Sequence, residues 1–299
     1  MRRTLNLTAI LFLFLVQAQA QVTIETERDK ENNVNFYAIN TAEIPYSVLL
    51  NFSDLQNMTT SAGGKTLAVA IPGRSKVATL RPTLAGQGSN FRYSFSFAKG
   101  NVYAKSKQEV AAYLLPVPDG TSVKAVRNNT VEGALGQANK QENYAGVTLF
   151  FDKPTQITAP RKGLVASLKM DGEPVGTNLS YVAEENFIEL YHEDGTFTRL
   201  SVLKAGTEQV KLGQLVFPGD TLALSGGENY SQGPQTRILQ LRTLLEENRF
   251  LYRPFPVTYM TDQGPREIKD YTTLVSAHPQ ELITIEMSKR ELKAYLERK

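Results

Sequence analysis

Apolar and polar side chains alternate one by one through much of this chain, and this period of two constrains the fold more than any other feature. The clearest case is FRYSFSF, in which Phe91, Tyr93, Phe95 and Phe97 alternate with arginine and serine. Successive side chains of a β-strand point to opposite faces, so the run predicts a strand with one apolar face. YSVLLNF, residues 46–52, follows the same pattern.

Two more strands are predicted from TLAVAIPG and KVATLRP, separated by a turn at Pro72 and Gly73. Closely spaced strands with turn signals between them are typical of antiparallel sandwiches. We therefore predict a β-sandwich over residues 21–112.

Strand patterns continue from residue 144 to residue 244 within a second predicted domain, residues 113–245. NFIELYHEDGTFTRLSVL predicts a hairpin with its turn at Asp194 and Gly195, and GQLVFPGDTLALSG predicts a strand interrupted at Pro218 and Gly219. We interpret EENRFLYRP as a polar connector to a last strand, FPVTYMT.

The chain is predicted to end in a helix that docks on the body of the protein. Ser288 and Glu291 have the spacing of a capping box, and Leu292, Tyr295 and Leu296 would form the apolar stripe of the helix. The fold class expected from these patterns is mainly β, with a short C-terminal β/α extension over residues 246–299.

The N-terminus has the pattern of a secretory signal peptide over residues 1–20. Arg2 and Arg3 precede the apolar run AILFLFLV, and Ala18 and Ala20 supply an A-x-A cleavage pattern. We predict cleavage after Ala20, an exported protein, and no membrane span after removal of the leader.

Composition excludes several classes of function. Loss of the two leader arginines lowers the formal charge from +3 to +1, which does not favour nucleic acid or an anionic membrane surface as a partner. The chain has no cysteine, so it has no disulfide, no thiolate metal site and no cysteine nucleophile.

Four segments in the second domain resemble, in order and spacing, the LytM-type or M23 family of zinc metallopeptidases, which cut peptide cross-links in bacterial peptidoglycan. These segments are APRKGLV, LYHEDGTFTRLSVLKAG, VKLGQLVFPGDTLALSGG and NYSQGPQTRIL. The β-rich region that precedes these segments, together with YLLPVPDG, is similar to the corresponding region of exported, Bacteroidetes-type members. The resemblance implies a LytM-like antiparallel β-sheet domain after the sandwich.

The resemblance also implies a zinc site of histidines and one aspartate, and every position that it assigns is substituted here. The aspartate position falls on Thr148, one catalytic histidine position on Val202, and the H-x-H pair on Gln235 and Arg237. The first histidine position falls near residues 132–136, and no histidine precedes residue 192. We call Thr148, Val202, Gln235 and Arg237 the substituted positions. Neither a metal nor a cofactor is expected at them.

Arg237 leaves two interpretations open. Its guanidinium stays protonated and cannot donate a lone pair to zinc. With Gln235 it would form a ligand groove that holds a carboxylate, or it would be a surface arginine paired with a nearby acid, with Gln235 hydrogen-bonded locally.

The remaining titratable groups do not form another catalytic set in the sequence. The two histidines, His192 and His278, are predicted to be solvated loop residues. The adjacent acids at 184–185 and 193–194 are predicted to lie on solvated faces rather than to act as a glycosidase pair.

These observations favour an inactive homologue of M23 enzymes in the periplasm or cell envelope of a Gram-negative bacterium. It would bind peptidoglycan or regulate a wall hydrolase, and its partner would be peptidoglycan or another envelope protein. Two alternatives stay open: a structural subunit of an envelope assembly, and an active metalloendopeptidase with unrecognised metal ligands.

Overall fold

The computed structural model describes residues 21–105, 110–129, 144–179 and 185–297. The predicted signal peptide lies outside these residues. The fold is mainly β, as the alternation predicts, with antiparallel sheets and two short helices near the C-terminus.

The N-terminal part is an antiparallel sandwich. Its strands are β1 (Val22–Arg28), β2 (Val34–Asn40), β3 (Tyr46–Gln56), β4 (Met58–Thr59), β5 (Lys65–Ala70), β6 (Gly73–Pro82) and β7 (Asn90–Lys99). One sheet has the order β1-β2-β6-β4, and the facing sheet has the order β5-β3-β7. Tyr46, Val48, Leu50 and Phe52 are buried in the core between them. The alternation therefore identified the inward face of β3 correctly.

A large antiparallel sheet forms the middle of the chain. The strands from this region are β8 (Tyr113–Leu114), β9 (Ser122–Asn129), β10 (Tyr144–Phe150), β11 (Gln156–Thr158), β12 (Gly163–Lys169), β13 (Phe187–Tyr191), β14 (Thr196–Ser201), β15 (Leu215–Val216), β16 (Thr221–Leu224) and β17 (Gln235–Glu246). The sheet runs β15-β12-β13-β14-β17-β10-β9, and β11 pairs separately with β16. Neighbouring strands β10 and β17 thus lie at its centre. The predicted hairpin at Asp194 and Gly195 and the break at Pro218 and Gly219 are both present.

The C-terminal region corrects two predictions. Its strands are β18 (Arg249–Pro254), β19 (Thr258–Thr261), β20 (Gly264–Glu267) and β21 (Thr272–Val275). The stretch interpreted as a polar connector is a hairpin, because Glu247 and Asn248 take positive φ angles in a two-residue turn and β18 returns along β17. FPVTYMT is not the last strand, since β20 pairs with β19 and β21 extends the large sheet beyond β9.

Two helices follow, α1 (Gln280–Thr284) and α2 (Lys289–Leu296). The capping box of Ser288 and Glu291 is present, which confirms the predicted helix start. The predicted apolar stripe is incomplete, because no residue of α2 is buried and Leu296 is exposed. The predicted domain boundaries stay a prediction.

Candidate functional site

Three of the four substituted positions meet on the two central strands. In the register of β10 and β17, Thr148 lies directly opposite Arg237, and Phe150 lies opposite Gln235. Residues two apart on a strand share a face, so Gln235 and Arg237 point the same way. Side chains far apart in the sequence are thus brought to one patch of the sheet.

This patch is the floor of an open groove with a cavity volume of about 440 Å³. Strands β9, β10 and β17 supply the floor, and the loop before β17 supplies one wall. The residues that line this groove are Val126, Asn128, Ala145, Thr148, Phe150, Leu179, Tyr230, Ser231, Gln232, Gln235 and Arg237.

Arg237 is paired with an acid at the edge of the groove. Its Nη1 lies 2.7 Å from Oε1 of Glu185, and the Tyr230 hydroxyl donates to the same oxygen at 2.9 Å. A ligand carboxylate would have to share this guanidinium with Glu185. No local pattern identified Glu185 as the acid, because it lies in a loop and 52 residues separate it from Arg237.

Gln235 differs from its neighbours in the groove. Its side chain is 4% exposed, and its backbone N–H donates to the carbonyl of Gly226 at 2.9 Å. No described residue makes a hydrogen bond with its side-chain amide. Thr148, by contrast, is paired locally, with its Oγ1 2.8 Å from Nδ2 of Asn128.

Val202 lies beside the groove rather than in it. It lines a neighbouring cavity of about 260 Å³ that shares Tyr230 with the groove. Its φ of +62° is a left-handed conformation that a β-branched side chain rarely adopts. A Cβ built on Gly227 would lie 3.2 Å from Cγ1 of Val202 and 3.1 Å from Cγ of Gln235, so the glycine lets the two segments pack closely.

The substituted positions do not fit zinc. Zinc in proteins takes imidazole, thiolate or carboxylate ligands, whereas these positions offer a hydroxyl, an isopropyl group, an amide and a guanidinium. No group of three or more histidine, aspartate or glutamate side chains within the described ranges could hold a metal ion. The first histidine position, near residues 132–136, lies outside the described residues.

The prediction that His192 is a solvated loop residue is wrong. The ring is fully buried, with Nδ1 2.7 Å from the carbonyl oxygen of Lys162 and Nε2 2.8 Å from Oγ1 of Thr198. Burial, with the positive charge of Arg161, lowers its pKa from 6.5 to about 4. His192 is therefore a neutral structural residue that lies outside the groove.

His278 follows its prediction in part. It lies between β21 and α1 in a loop, but it is half-buried, with Nε2 3.3 Å from the carbonyl oxygen of Leu115. Neither histidine lines the groove as the described residues define it.

One acid of each adjacent pair is less solvated than predicted, whereas Glu193 is exposed as predicted and residue 184 lies outside the described residues. Asp194 forms an ion pair with Arg161 at 2.8 Å, and Glu185 forms the ion pair with Arg237 described above. The hairpin turn and the preceding loop are folded against the body, which the local acidic sequence did not reveal.

Across the described ranges, no helix is long and apolar enough to cross a membrane.

No protein-family model matches this chain, and no curated protein matches it. Similar solved structures include a SpoIIQ–SpoIIIAH pore-forming complex, with 18% identity and a TM-score of 0.33 over 48% of this chain and 89% of that chain. Helicobacter pylori Csd3 has 14% identity and a TM-score of 0.31 over 94% and 84%. A Pseudomonas aeruginosa protein provisionally assigned to peptidase M23 has 15% identity and a TM-score of 0.30 over 64% and 87%. These values are too low to carry an argument about function.

Proposed function

We propose that this chain is a non-catalytic, M23-like protein of the Gram-negative cell envelope whose groove binds the peptide part of peptidoglycan or regulates a wall hydrolase. The support is chemical. The groove presents amide, hydroxyl, guanidinium and aromatic groups, which recognise a peptide through hydrogen bonds and packing. Its substituted positions supply no zinc ligand and no general base of the kind that hydrolysis requires.

The Gln235 amide is the observation that carries the proposal. The Gln235 side chain lines the groove, and no described residue bonds its amide, so the donor and the acceptor of that amide are available to a ligand. A peptide backbone that enters the groove would offer both a carbonyl and an N–H group to this side chain. Binding would thus use a donor and an acceptor that the fold itself does not use.

Arg237 would contribute to selectivity rather than to bulk affinity. Glu185 already accepts from its guanidinium at 2.7 Å, so a ligand carboxylate competes with a carboxylate in place. A ligand recognised mainly through amides avoids that competition. This argument favours the peptide backbone over a free carboxylate as the group held at the floor.

The first experiment is incubation of the purified chain with peptidoglycan sacculi. We expect co-sedimentation with the sacculi and no release of soluble fragments. Release that a chelator abolishes, together with one tightly bound zinc per chain, would establish the metallopeptidase alternative. Neither binding nor release would leave the regulatory and structural roles, which a search for envelope protein partners would separate.

Two glutamines on β17 give matched variants for this experiment. Gln235→Leu removes the unpaired amide and should weaken sacculus binding by about five- to tenfold, with the free energy of unfolding unchanged within about 0.5 kcal/mol. Gln240 is buried on the other face, where it contacts the hydroxyls of Tyr144 and Tyr259 at 3.1 and 2.9 Å. Gln240→Leu should lower stability by about 2 kcal/mol and leave binding intact.

The proposal requires that Gln235→Leu weakens co-sedimentation without lowering stability, and that Gln240→Leu lowers stability in denaturant unfolding without weakening co-sedimentation. Equal loss of binding in both variants would mean that the assay reports stability rather than the groove. Unchanged binding in Gln235→Leu would remove this side chain from the ligand site.

A further inference from the structure

Strand β7 has a strand neighbour on one of its two sides among the described residues. It lies at the end of the sheet order β5-β3-β7, and among the described residues β3 is its only strand partner. Within the same ranges, only its last residue, Lys99, is bonded by another element: its N–H donates to the Tyr252 hydroxyl at 3.2 Å, and its carbonyl accepts from the Thr243 hydroxyl at 2.7 Å. The strand is ten residues long, and its residues 92–96 are all exposed. Such an edge presents backbone N–H and C=O groups that can pair with another strand.

The side chains of β7 make this edge apolar. Phe91, Tyr93, Phe95 and Phe97 share one face, and Tyr93 and Phe95 are 37% and 36% exposed. The row is anchored by Phe36 of the facing sheet, whose ring centroid lies 5.1 Å from that of Tyr93. The aromatic face is therefore ordered against the core but incompletely covered.

The other long edge of the sandwich, strand β1, is protected against strand pairing by charged side chains, so β7 is the edge that favours pairing. Strand β1 carries Glu25, Glu27 and Arg28, all exposed. Proteins commonly prevent edge pairing with charged side chains of this kind. Between residues 91 and 98, the one charged residue of β7 is Arg92, and its side chain pairs with Asp54 at 3.3 Å. The edge thus has no net charge that would select a charged partner.

The sequence of β7 is complementary to itself when it is paired antiparallel about Ser94. In that register Phe91 lies opposite Phe97 of a second copy, and Tyr93 lies opposite Phe95 of the second copy. Directly opposed aromatic side chains stabilise antiparallel strand pairs. All four aromatic residues of each copy would then meet aromatic residues of the other, on one continuous face.

We propose that β7 is a homodimerisation edge, at which two copies of this chain join their sheets through antiparallel β7 strands related by a two-fold axis at Ser94. The product is a six-stranded sheet of order β5-β3-β7-β7-β3-β5. A single strand pair buries less surface than a standard protein interface, so the dimer is weak, with a dissociation constant between about micromolar and about millimolar. A two-fold contact of this kind closes and does not polymerise.

Ser94 provides the test, because it is exposed and would face itself across the two-fold axis. Ser94→Lys places two like charges opposite each other with Arg92 of each copy nearby, and should raise the dissociation constant by about tenfold. An equimolar mixture of Ser94→Lys and Ser94→Glu chains should dimerise again, because each pair is then of opposite sign. Ser61→Lys, at an exposed turn serine away from β7, is the matched control and should behave as the unsubstituted chain.

The measurement is sedimentation equilibrium of the purified chain from about micromolar to about millimolar concentration, with circular dichroism to verify the fold of each variant. A dimer that Ser94→Lys weakens and that mixing restores supports the proposal. A chain that stays monomeric throughout overturns it and leaves a strand of another protein as the occupant of the edge. A dimer insensitive to Ser94→Lys, or one that mixing fails to restore, also overturns it.

Discussion

At the scale of single residues, His192 shows how burial decides the role of a titratable group. Its neutral ring fits its site completely: Nδ1–H donates to the Lys162 carbonyl, and Nε2 accepts from the Thr198 hydroxyl. The charged groups nearest to it are Arg161 and Asp194, of which the arginine lowers the histidine pKa and the aspartate raises it. A proton on Nε2 would break the bond to Thr198 and place a charge beside Arg161.

Stability is therefore expected to fall as the pH falls through the range in which His192 titrates. The unfolded chain binds this proton at about pH 6.5, whereas the folded chain resists it to about pH 4. The stabilising contribution is fully present above pH 6.5, is lost progressively down to about pH 4, and amounts to about 3 kcal/mol at most. Urea unfolding across this range measures it.

His192→Gln, whose amide can keep both hydrogen bonds, should remove most of this slope. His278→Gln is the matched control, because the ring of that half-buried loop histidine makes one hydrogen bond, at 3.3 Å to the Leu115 carbonyl, and the substitution leaves the His192 site intact. An unchanged slope in His192→Gln would assign the pH dependence to other groups.

At the scale of elements, ion pairs rather than apolar burial hold the C-terminal helices. Arg161 is 2% exposed and donates from Nε and Nη2 to the two carboxylate oxygens of Glu286, each at 2.8 Å. Lys162 Nζ contacts Oε2 of Glu291 at 2.8 Å. The segment between the helices and the first turn of α2 thus dock on the loop before β12.

Glu286→Gln should destabilise this docking by about 2–4 kcal/mol, because it leaves a buried guanidinium with Asp194 as its remaining acidic partner. Hydrogen exchange should accelerate through residues 280–296. Glu297→Gln is the control, since its pair with Lys293 is exposed and spans 3.8 Å, and it should cost less than about 0.5 kcal/mol. Equal protection in Glu286→Gln and the unsubstituted chain would contradict the argument.

The same elements show what the sequence could predict. Alternation predicted β3, β5, β6, β7 and the β13–β14 hairpin, because a period of two and turn residues are local signals. The β17–β18 hairpin was missed, because its turn, Glu247 and Asn248, lacks the glycine that usually marks such turns. The pairs of Arg237 with Glu185 and of Arg161 with Glu286 join distant segments, and no local pattern predicts them.

At the scale of the whole molecule, the sandwich and the large sheet pack against each other at a buried interface, which we call the joint. Phe197 of β14 belongs to the buried cluster of the sandwich, and Leu164, Tyr191 and Leu241 pack against that cluster. Gly100, with a φ of +89°, lies so close that an added Cβ would be 2.9 Å from the Phe197 ring. Lys99, the last residue of β7, forms an ion pair with Glu189, which is 1% exposed on β13. The two parts are therefore expected to unfold together.

Lys99→Met tests this coupling, because it removes the close cation from a buried carboxylate. Arg199, 3.9 Å from Oε2 of Glu189, is then its one ion-pair partner among the described residues. We expect the free energy of unfolding to fall by about 3–5 kcal/mol, and the double variant Lys99→Met with Glu189→Met to recover most of that loss, because no buried charge remains unpaired. Native-state hydrogen exchange should report the same decrease in β3 of the sandwich and in β14 of the large sheet, since a shared joint transmits the loss to both. A decrease confined to β3 would mean that the sandwich opens independently, and the joint would then be a contact between separate folding units.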